Sequence, residues 1–246
     1  MSDWIVPQWP APAPAPARVQ AYSTTRHGGV SAAPWDSLNL GAHVGDEADR
    51  VMHNRQRVVE QLALPAMPQW LEQVHGQTVA RLPAAAALPR ADAAITRESG
   101  VVCAVMTADC LPVLFCSHDG SEVAAAHAGW RGLCHGVLEQ TLAQFHCRAS
   151  EIHAWLGPAI GPQAFEVGSE VRSAFLAQDA AADAAFRPVG EKYFADIWLL
   201  ATQRLQAAGV RSVTAETRCT YQESADFFSF RRDGITGRMA TLIWLR

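Results

Sequence analysis

Apolar and polar residues follow one another along the chain in patterns that predict strands and helices in mixed order. The segment GDEADRVMHNRQRVVEQLAL, which begins at Gly45, has apolar residues at every third or fourth position and is typical of an amphipathic helix. Short apolar or alternating runs predict strands. The predicted strands are VQAYSTT, QWLEQVHG, VVCAVMTAD, PVLFCS, EVAAAHAG, IHAWLGP, VRSVTAE and ATLIWLR, and the predicted later helices cover 131–145, 169–177 and 195–208.

This mixed order predicts an α/β (mixed α+β) fold without a clean break, so we expect one domain over residues 18–246. The run VVCAVMTAD has no polar face, which predicts a central strand covered on both sides. Alternating proline and alanine at 10–17 predict an extended N-terminal arm over residues 1–17. The alternative is that apolar residues before this run dock as a short strand on a sheet edge: Trp4, Ile5, Val6 and Trp9.

Composition and charge exclude several classes of partner. The chain is 49% hydrophobic and 18% charged, as in ordinary globular proteins, and its net charge of -4 comes without a basic stripe. A nucleic-acid partner is therefore not expected. The sequence contains no apolar run of about 18 residues and no secretory signal pattern, so we expect a cytoplasmic protein without a membrane partner. Its six cysteines include no C-x-x-C pair and are expected to be reduced thiols.

Three predicted strands end close to a residue that can bind a metal, with glycine or proline soon after it. These residues are His75 in QVHG, Cys110 in TADCLP and His127 in AHAG. Strand ends hold reacting side chains firmly, and the turns that follow leave room for a ligand. Each residue alone is more often a buried core group, so the prediction depends on the combination. Two imidazoles and a thiolate predict a catalytic zinc site with its fourth position open.

Arginines and polar turn residues supply candidates for substrate binding. Arg131 lies between two glycines where a strand is followed by a helix, so its guanidinium and nearby amides could bind a phosphate or carboxylate. The loops RHGGVS and SLNLG could line a ligand, and DFFSFRR could stack a base and hold phosphate. A structural role is the alternative for each. The predicted substrate-binding residues are Arg26, Asn39, Asp109, Arg131 and Arg231.

Several motifs occur together in an order that resembles one family. They are RHGGVS, SLNLGAHVGD, LEQVHGQ, TADCLPVLF, AAAHAGWRGL, GPAIGP and DFFSFRRDGITGRMATLIWL. The sequence resembles the YfiH-type family, also called laccase-domain or multicopper polyphenol oxidase-like, over residues 20 to 246. The resemblance implies a single domain of layered sheets flanked by helices. It also implies a zinc or copper site at His75, Cys110 and His127, which would be the catalytic residues as well.

The resemblance further implies purine nucleoside phosphorylase activity on adenosine, inosine, guanosine and methylthioadenosine, with adenosine deamination as a companion activity. The partners would be a nucleoside and phosphate. Dedicated zinc deaminases carry an H-x-E motif, which this sequence lacks. The proton shuttle would then come from another group, either Asp109 or a ring nitrogen of a histidine that does not bind the metal.

Three alternative functions differ in the role of the same residues. In the first, Cys110 is the nucleophile of a hydrolase that cleaves a cell-wall precursor amide (peptidoglycan editing), with His127 or His75 as its base. In the second, copper at this site oxidises polyphenols, although the sequence has no His-x-His pair of the kind that multicopper oxidases use. In the third, the protein binds nucleosides without turnover. The oligomeric state is left open.

Overall fold

Twelve strands and six helices make up the part of the chain that the structure, a computed structural model, describes: residues 4–9 and 17–246. The strands are β1 (Val19–Ser23), β2 (Val79–Arg81), β3 (Ala93–Thr96), β4 (Val102–Thr107), β5 (Leu111–Ser117), β6 (Val123–Ala128), β7 (Ile152–Leu156), β8 (Glu166–Val167), β9 (Phe186–Val189), β10 (Lys192–Ala195), β11 (Ser212–Ala215) and β12 (Met239–Leu245). The helices are α1 (Ala48–Gln61), α2 (Trp130–His135), α3 (Val137–Leu142), α4 (Ser169–Leu176), α5 (Ile197–Ala207) and α6 (Phe230–Asp233). The mixed order confirms the predicted α/β fold.

The largest sheet has six strands in the order β11-β7-β5-β6-β3-β2. Its central pairs are antiparallel, whereas β11 with β7 and β2 with β3 are parallel. Helices α2, α3 and α5 cover one face of this sheet through side chains such as Leu133 and Leu200. The strand residues that meet these helices recur at every second position, as Leu111, Val113 and Phe115 do in β5, because alternate side chains of a strand share a face.

A three-stranded antiparallel sheet, in the order β1-β12-β4, packs on the opposite face of the large sheet. Apolar side chains such as Val105, Leu114 and Ile243 fill the space between the two sheets. Helix α1 covers the outer face of the smaller sheet through Val58. The layers are therefore helix, sheet, sheet and helices, as the family resemblance implied. A further small sheet has the order β8-β10-β9.

Strand β4 differs from the prediction in its position but not in its burial. All of its residues are buried, yet it lies at the edge of its sheet. The side-chain amide of Gln73 covers this edge: Nε2 donates to the Met106 carbonyl oxygen at 2.8 Å, and Oε1 accepts from the Met106 amide at 2.7 Å. The amide thus takes two hydrogen bonds that a neighbouring strand would otherwise make.

Two predicted elements are wrong. The QWLEQVHG segment forms only a single bridge, between Glu72 and Arg90, because the amides of residues 74–76 donate to the Asp92 carboxylate instead of to a strand. The predicted helix over 131–145 is two short helices. Gly136, with a φ of +100°, ends α2 and begins α3. The predictions also missed β2, β3 and β8 to β10, which are short.

Residues 4–9 pack against the domain. Ile5 pairs with Ser23 through two backbone hydrogen bonds of 2.9 Å. The Trp9 ring lies 6.5 Å from the His153 ring, measured between centroids. These contacts favour the alternative in which this segment docks on a sheet edge. The proline and alanine run at 10–16 lies outside the described residues, so the extended arm there and the domain boundary at residue 18 stay predictions.

None of the helices within residues 4–9 and 17–246 combines the length and hydrophobicity that crossing a bilayer requires.

The six cysteines are free thiols, as predicted, and four of them are buried. Cys110 is one of the two that are partly exposed, which leaves its sulfur accessible to a ligand.

Candidate metal centre

His75, Cys110 and His127 lie together at one end of the six-stranded sheet. Their ligand atoms are all within 4.8 Å of one another, and Cys110 Sγ is 3.7 Å from His75 Nε2. Cys110 directly precedes β5 and His127 lies near the end of β6, whereas His75 reaches in from a turn where its φ is +60°. Within the described residues, this is the one group of histidine, cysteine and carboxylate side chains placed to share an ion.

The donor set fits zinc. Tetrahedral zinc, with bonds of about 2.3 Å to sulfur and about 2.0 Å to nitrogen, holds such ligand atoms about 3.5 Å apart. The separation of 3.7 Å between Cys110 Sγ and His75 Nε2 is close to this value. The His75 and His127 rings meet edge to face, with centroids 4.7 Å apart, so both can direct a nitrogen at one point. A thiolate with two imidazoles also suits copper.

One fully buried carboxylate, that of Asp92, holds two of the three ligands in place. Its Oδ1 lies 2.9 Å from His127 Nδ1, which makes Nδ1 the protonated nitrogen and leaves Nε2 for a metal. The carboxylate also accepts hydrogen bonds from the amides of Val74, His75 and Gly76 at 3.2, 2.8 and 2.7 Å. Burial alone would raise the pKa of Asp92, but the hydrogen bonds from His127 and these amides lower it.

Cys110 and His127 change each other's protonation. Burial alone would raise the pKa of the Cys110 thiol, but the His127 and His75 rings outweigh burial and lower the pKa to about 6. Burial alone would lower the pKa of His127, whereas the Cys110 thiolate and Asp92 raise it to about 9. Without a metal, Cys110 is therefore a thiolate beside an imidazolium near neutral pH. A cation that binds here would meet a thiolate that is already deprotonated and would displace the proton from the His127 imidazolium.

Two glycines let α2 approach the metal centre closely. A Cβ on Gly129 would lie 2.7 Å from His75 Cδ2 and 3.0 Å from Cys110 Sγ. A Cβ on Gly132 would lie 2.7 Å from the carbonyl oxygen of Gly76. The glycines of the AHAGWRG motif therefore have a packing role, since larger residues would displace the ligands.

Two neighbouring cavities lie on this side of the protein, and the three ligands line the first of them. The first has a volume of about 230 Å³ and is lined by His43, Gln73, His75, Met106, Thr107, Ala108, Cys110, His127, Phe230 and Arg238. The second, of about 510 Å³, shares His43, Gln73 and Met106 with the first. It extends to Trp70, whose ring lies 4.3 Å from the Arg55 guanidinium. Their combined size falls in the range of about 300–1,000 Å³ that is typical of small-molecule sites.

Asn39 and Arg26 were both predicted to bind substrate, but their side chains make contacts within the protein instead. Asn39 is fully buried, and its Oδ1 accepts hydrogen bonds from the amides of Gly41 and Arg238, each at 2.9 Å. Arg26 forms an ion pair of 3.3 Å with Asp36. Neither residue lines the cavity that contains the three ligands.

Asp109 directly precedes Cys110 and has a φ of +96°. Its Oδ1 accepts from Thr220 Oγ1 and its Oδ2 from the Arg231 amide, each at 2.7 Å, so it ties the Cys110 turn to the C-terminal part of the chain. The Arg231 guanidinium donates to the Glu166 carbonyl oxygen at 2.8 Å and lies outside the cavity. These contacts give both residues a structural role, and their substrate contacts stay predictions.

Arg131 is exposed on α2, and its guanidinium lies 4.4 Å from the centroid of the Trp130 ring. It lines neither of the two cavities, so the predicted anion contact of Arg131 has no cavity beside it.

The sequence patterns did not single out four residues that the structure brings to the site: Asp92, Gln73, His43 and Arg238. A position beside a predicted strand could have pointed to Arg238, which lies just before ATLIWLR, but not to Asp92, because β3 was not predicted.

A family model described as multi-copper polyphenol oxidoreductase laccase matches residues 20–246. The chain belongs to this family. Purine nucleoside phosphorylase YfiH of Escherichia coli is 59% identical over 246 residues, which cover 100% of both chains. A Pseudomonas aeruginosa protein, also named a purine nucleoside phosphorylase, is 52% identical over 248 residues and is likewise covered completely. These relatives confirm the YfiH-type resemblance.

Solved structures share the fold. A Neisseria meningitidis protein that is 48% identical superposes with a TM-score of 0.92 over 99% of both chains. YlmD from Geobacillus stearothermophilus is 34% identical and superposes with a TM-score of 0.86 over 98% of this chain and 99% of its own. The layered fold is therefore the one found in solved structures of this family.

Proposed function

We propose that the chain is a zinc-dependent purine nucleoside phosphorylase. The observation that carries the proposal is the cluster of His75, Cys110 and His127, held by Asp92 in the wall of a cavity of nucleoside size. The names of two relatives that are 59% and 52% identical, both purine nucleoside phosphorylases, support the same activity. The proposed substrates are phosphate and a purine nucleoside: adenosine, inosine, guanosine or methylthioadenosine.

Phosphorolysis exchanges one bond for another at the ribose. A phosphate oxygen forms a bond with C1′ while the bond between C1′ and N9 breaks, and the purine leaves with that electron pair and takes up a proton. His75, Cys110 and His127 would hold zinc, which supplies a Lewis acid. Phe230 lines the cavity with much of its ring exposed and offers a face on which a purine can stack.

Adenosine deamination is the proposed companion activity, and it needs a group that moves a proton between water and the base. Asp109 is tied to Thr220 and the Arg231 amide and lies outside both cavities. Glu72 lines the second cavity, so its carboxylate is better placed than Asp109 to move that proton.

The test is an incubation of the zinc-loaded protein with inosine and phosphate, followed by chromatography of the bases. We expect hypoxanthine and ribose 1-phosphate, with loss of both products on chelation and in Cys110→Ala. Adenosine in place of inosine separates the two activities, because phosphorolysis releases adenine and deamination yields inosine. A zinc-loaded protein that releases no base from any of the four nucleosides would contradict the proposal and favour a binding module.

A second function is favoured by the contact between Cys110 Sγ and His75 Nε2 at 3.7 Å, together with the Cys110 pKa of about 6. A thiolate beside an imidazole is the arrangement of a cysteine hydrolase, so the alternative is an amidase that acts on a cell-wall precursor. A thiolate bound to zinc is a poor nucleophile, and the two functions exclude one another at any instant. Amide cleavage that survives chelation and ends on alkylation of Cys110 would favour the hydrolase.

A further inference from the structure

The cavity beside the three ligands contains one guanidinium, that of Arg238. Its Nη1 donates to the carbonyl oxygens of Thr236 and Gly237 at 3.1 and 2.9 Å. Within residues 4–9 and 17–246, Nε and Nη2 make no hydrogen bond and no carboxylate forms an ion pair with this guanidinium. Arg238 therefore has donors and a positive charge to offer a ligand in the cavity.

The protein fixes the position of Arg238 in advance. Its amide donates to Asn39 Oδ1 at 2.9 Å, and its carbonyl oxygen accepts from the Leu40 amide at 3.1 Å. Gly41 packs on the side chain so closely that a Cβ there would lie 2.8 Å from Arg238 Cγ. The SLNLG motif thus places the arginine stem, which lowers the entropy lost when a ligand binds.

His43 lies where the two cavities meet and has an exposed side chain. Desolvation, and after it the positive charges of Arg238 and Arg55, lower its pKa. Arg55 is held by two hydrogen bonds to the Leu40 carbonyl oxygen, at 3.0 and 2.8 Å. An imidazole close to the positive charges of two guanidiniums is a place where an anion gains both charge and hydrogen-bond donors.

The negative groups near Arg238 are Cys110 and Asp109. A divalent cation at the three ligands would compensate the Cys110 thiolate, and Asp109 already accepts two hydrogen bonds of 2.7 Å. The metal-loaded cavity would therefore have an excess of positive charge on the side of Arg238 and His43.

We propose that Arg238 and His43 bind the inorganic phosphate that serves as the second substrate. The proposal rests on the proposed phosphorylase function and assigns the phosphate to the cavity lined by Arg238 and His43, away from Arg131. The free guanidinium edge presents donors to phosphate oxygens, and His43, which lines the same cavity, adds an imidazole donor.

The experiment compares zinc-loaded parent protein with Arg238→Met, Arg238→Lys, His43→Gln and Arg131→Met, and with Arg187→Met as the matched control at an exposed position of β9. We expect Arg238→Met to raise the KM for phosphate by about tenfold or more, and His43→Gln by about threefold to tenfold. The KM for phosphate of Arg238→Lys should lie between those of the parent and Arg238→Met. Lysine keeps the positive charge but lacks the paired donors of the planar guanidinium. The KM for inosine and the zinc content should stay close to those of the parent.

A binding measurement separates the phosphate site from the phosphorylase activity. Calorimetric titration of phosphate into zinc-loaded protein without nucleoside should show the same order of affinities, so it tests the phosphate site even if no nucleoside is cleaved. Failure of the parent to cleave nucleosides would count against the phosphorylase alone. An unchanged phosphate KM and affinity in Arg238→Met would overturn the proposal. So would a phosphate defect confined to Arg131→Met, or equal losses for phosphate, inosine and zinc in Arg238→Met.

Discussion

The two ends of strand β5 carry the same residue types but differ in their chemistry. At one end lie Cys110 and two histidines whose ring centroids are 4.7 Å apart. At the other end lie Cys116 and two more histidines, His118 and His153, whose ring centroids are only 4.2 Å apart. The distance between imidazoles therefore does not decide which end can bind a metal.

The surroundings of the two ends decide it. At the metal end, Asp92 accepts from His127 Nδ1 and leaves Nε2 directed at the other ligands. At the far end, His153 Nδ1 is 2.7 Å from Ser212 Oγ, a neutral hydroxyl, while its Nε2 is buried and unpaired among the described residues. A negative carboxylate hydrogen-bonded to one ring nitrogen stabilises a histidine whose other nitrogen binds a cation. A neutral hydroxyl in the same position adds no negative charge to balance the cation.

The two cysteines show the same difference. Cys116 packs among apolar side chains between the sheets, and burial raises the pKa of its thiol to about 12. The histidines around Cys110 overcome burial and lower the pKa of its thiol to about 6. Of these two groups of one cysteine and two histidines, the candidate metal centre is the one with a buried acid and a cavity beside it.

The largest expected effect concerns the ligands themselves. His75→Ala, Cys110→Ala and His127→Ala should each lose most of a content of about one zinc per chain, because each removes one of three protein ligands. His118→Ala, at the far end, is the matched control and should keep its zinc. The measurement is metal analysis of the purified proteins. Full zinc retention in any two of the three ligand variants would refute the site.

Asp92→Asn tests the carboxylate that distinguishes the two ends. The amide has nearly the same shape but no charge, so we expect zinc affinity to fall by about 10–100-fold while the three ligands remain. Ser212→Ala, which removes the partner of His153, should leave zinc affinity unchanged. Competition with a chelator measures both. Parent-like affinity in a folded Asp92→Asn protein would show that the carboxylate serves only the fold.

Alkylation compares the two cysteines directly. In protein stripped of metal, iodoacetamide should modify Cys110 with a rate that rises through about pH 6, because below this pH the thiolate takes up a proton. Cys116 should remain unmodified, since its thiol is buried and its pKa is about 12. Zinc should protect Cys110. Peptide mass spectrometry gives the rates, and equal labelling of both cysteines would contradict the difference.

The smallest effect concerns residues 4–9, which contact the far end of β5 through Trp9 and His153. Deleting residues 2–9 should lower the free energy of unfolding by about 1–3 kcal/mol, because it exposes partly buried apolar side chains. Zinc content should not change. Denaturant unfolding measures the loss, and unchanged stability would instead support a domain that begins at residue 18.

Local patterns in the sequence were enough to predict most of the framework. The amphipathic period of α1 and the apolar runs of β4, β5, β6 and β12 appear in the structure because burial of one or both faces imposes these patterns on a short segment. The same local signal, a metal-binding residue next to a strand end and a turn, singled out His75, Cys110 and His127.

Only the tertiary structure decided which residues support these three. Asp92 and His127 are 35 positions apart, and Asn39 and Arg238 are 199 positions apart, so no local pattern connects them. The sequence predicted substrate binding for Asn39 because it is a polar residue in a turn. In the structure this turn packs against the segment before β12, where the side-chain oxygen of Asn39 accepts a hydrogen bond from the backbone amide of Arg238. Hydrogen bonds act over about 3 Å in space and have no fixed length in sequence, so the partner of a polar residue is set by how the sheets and loops pack.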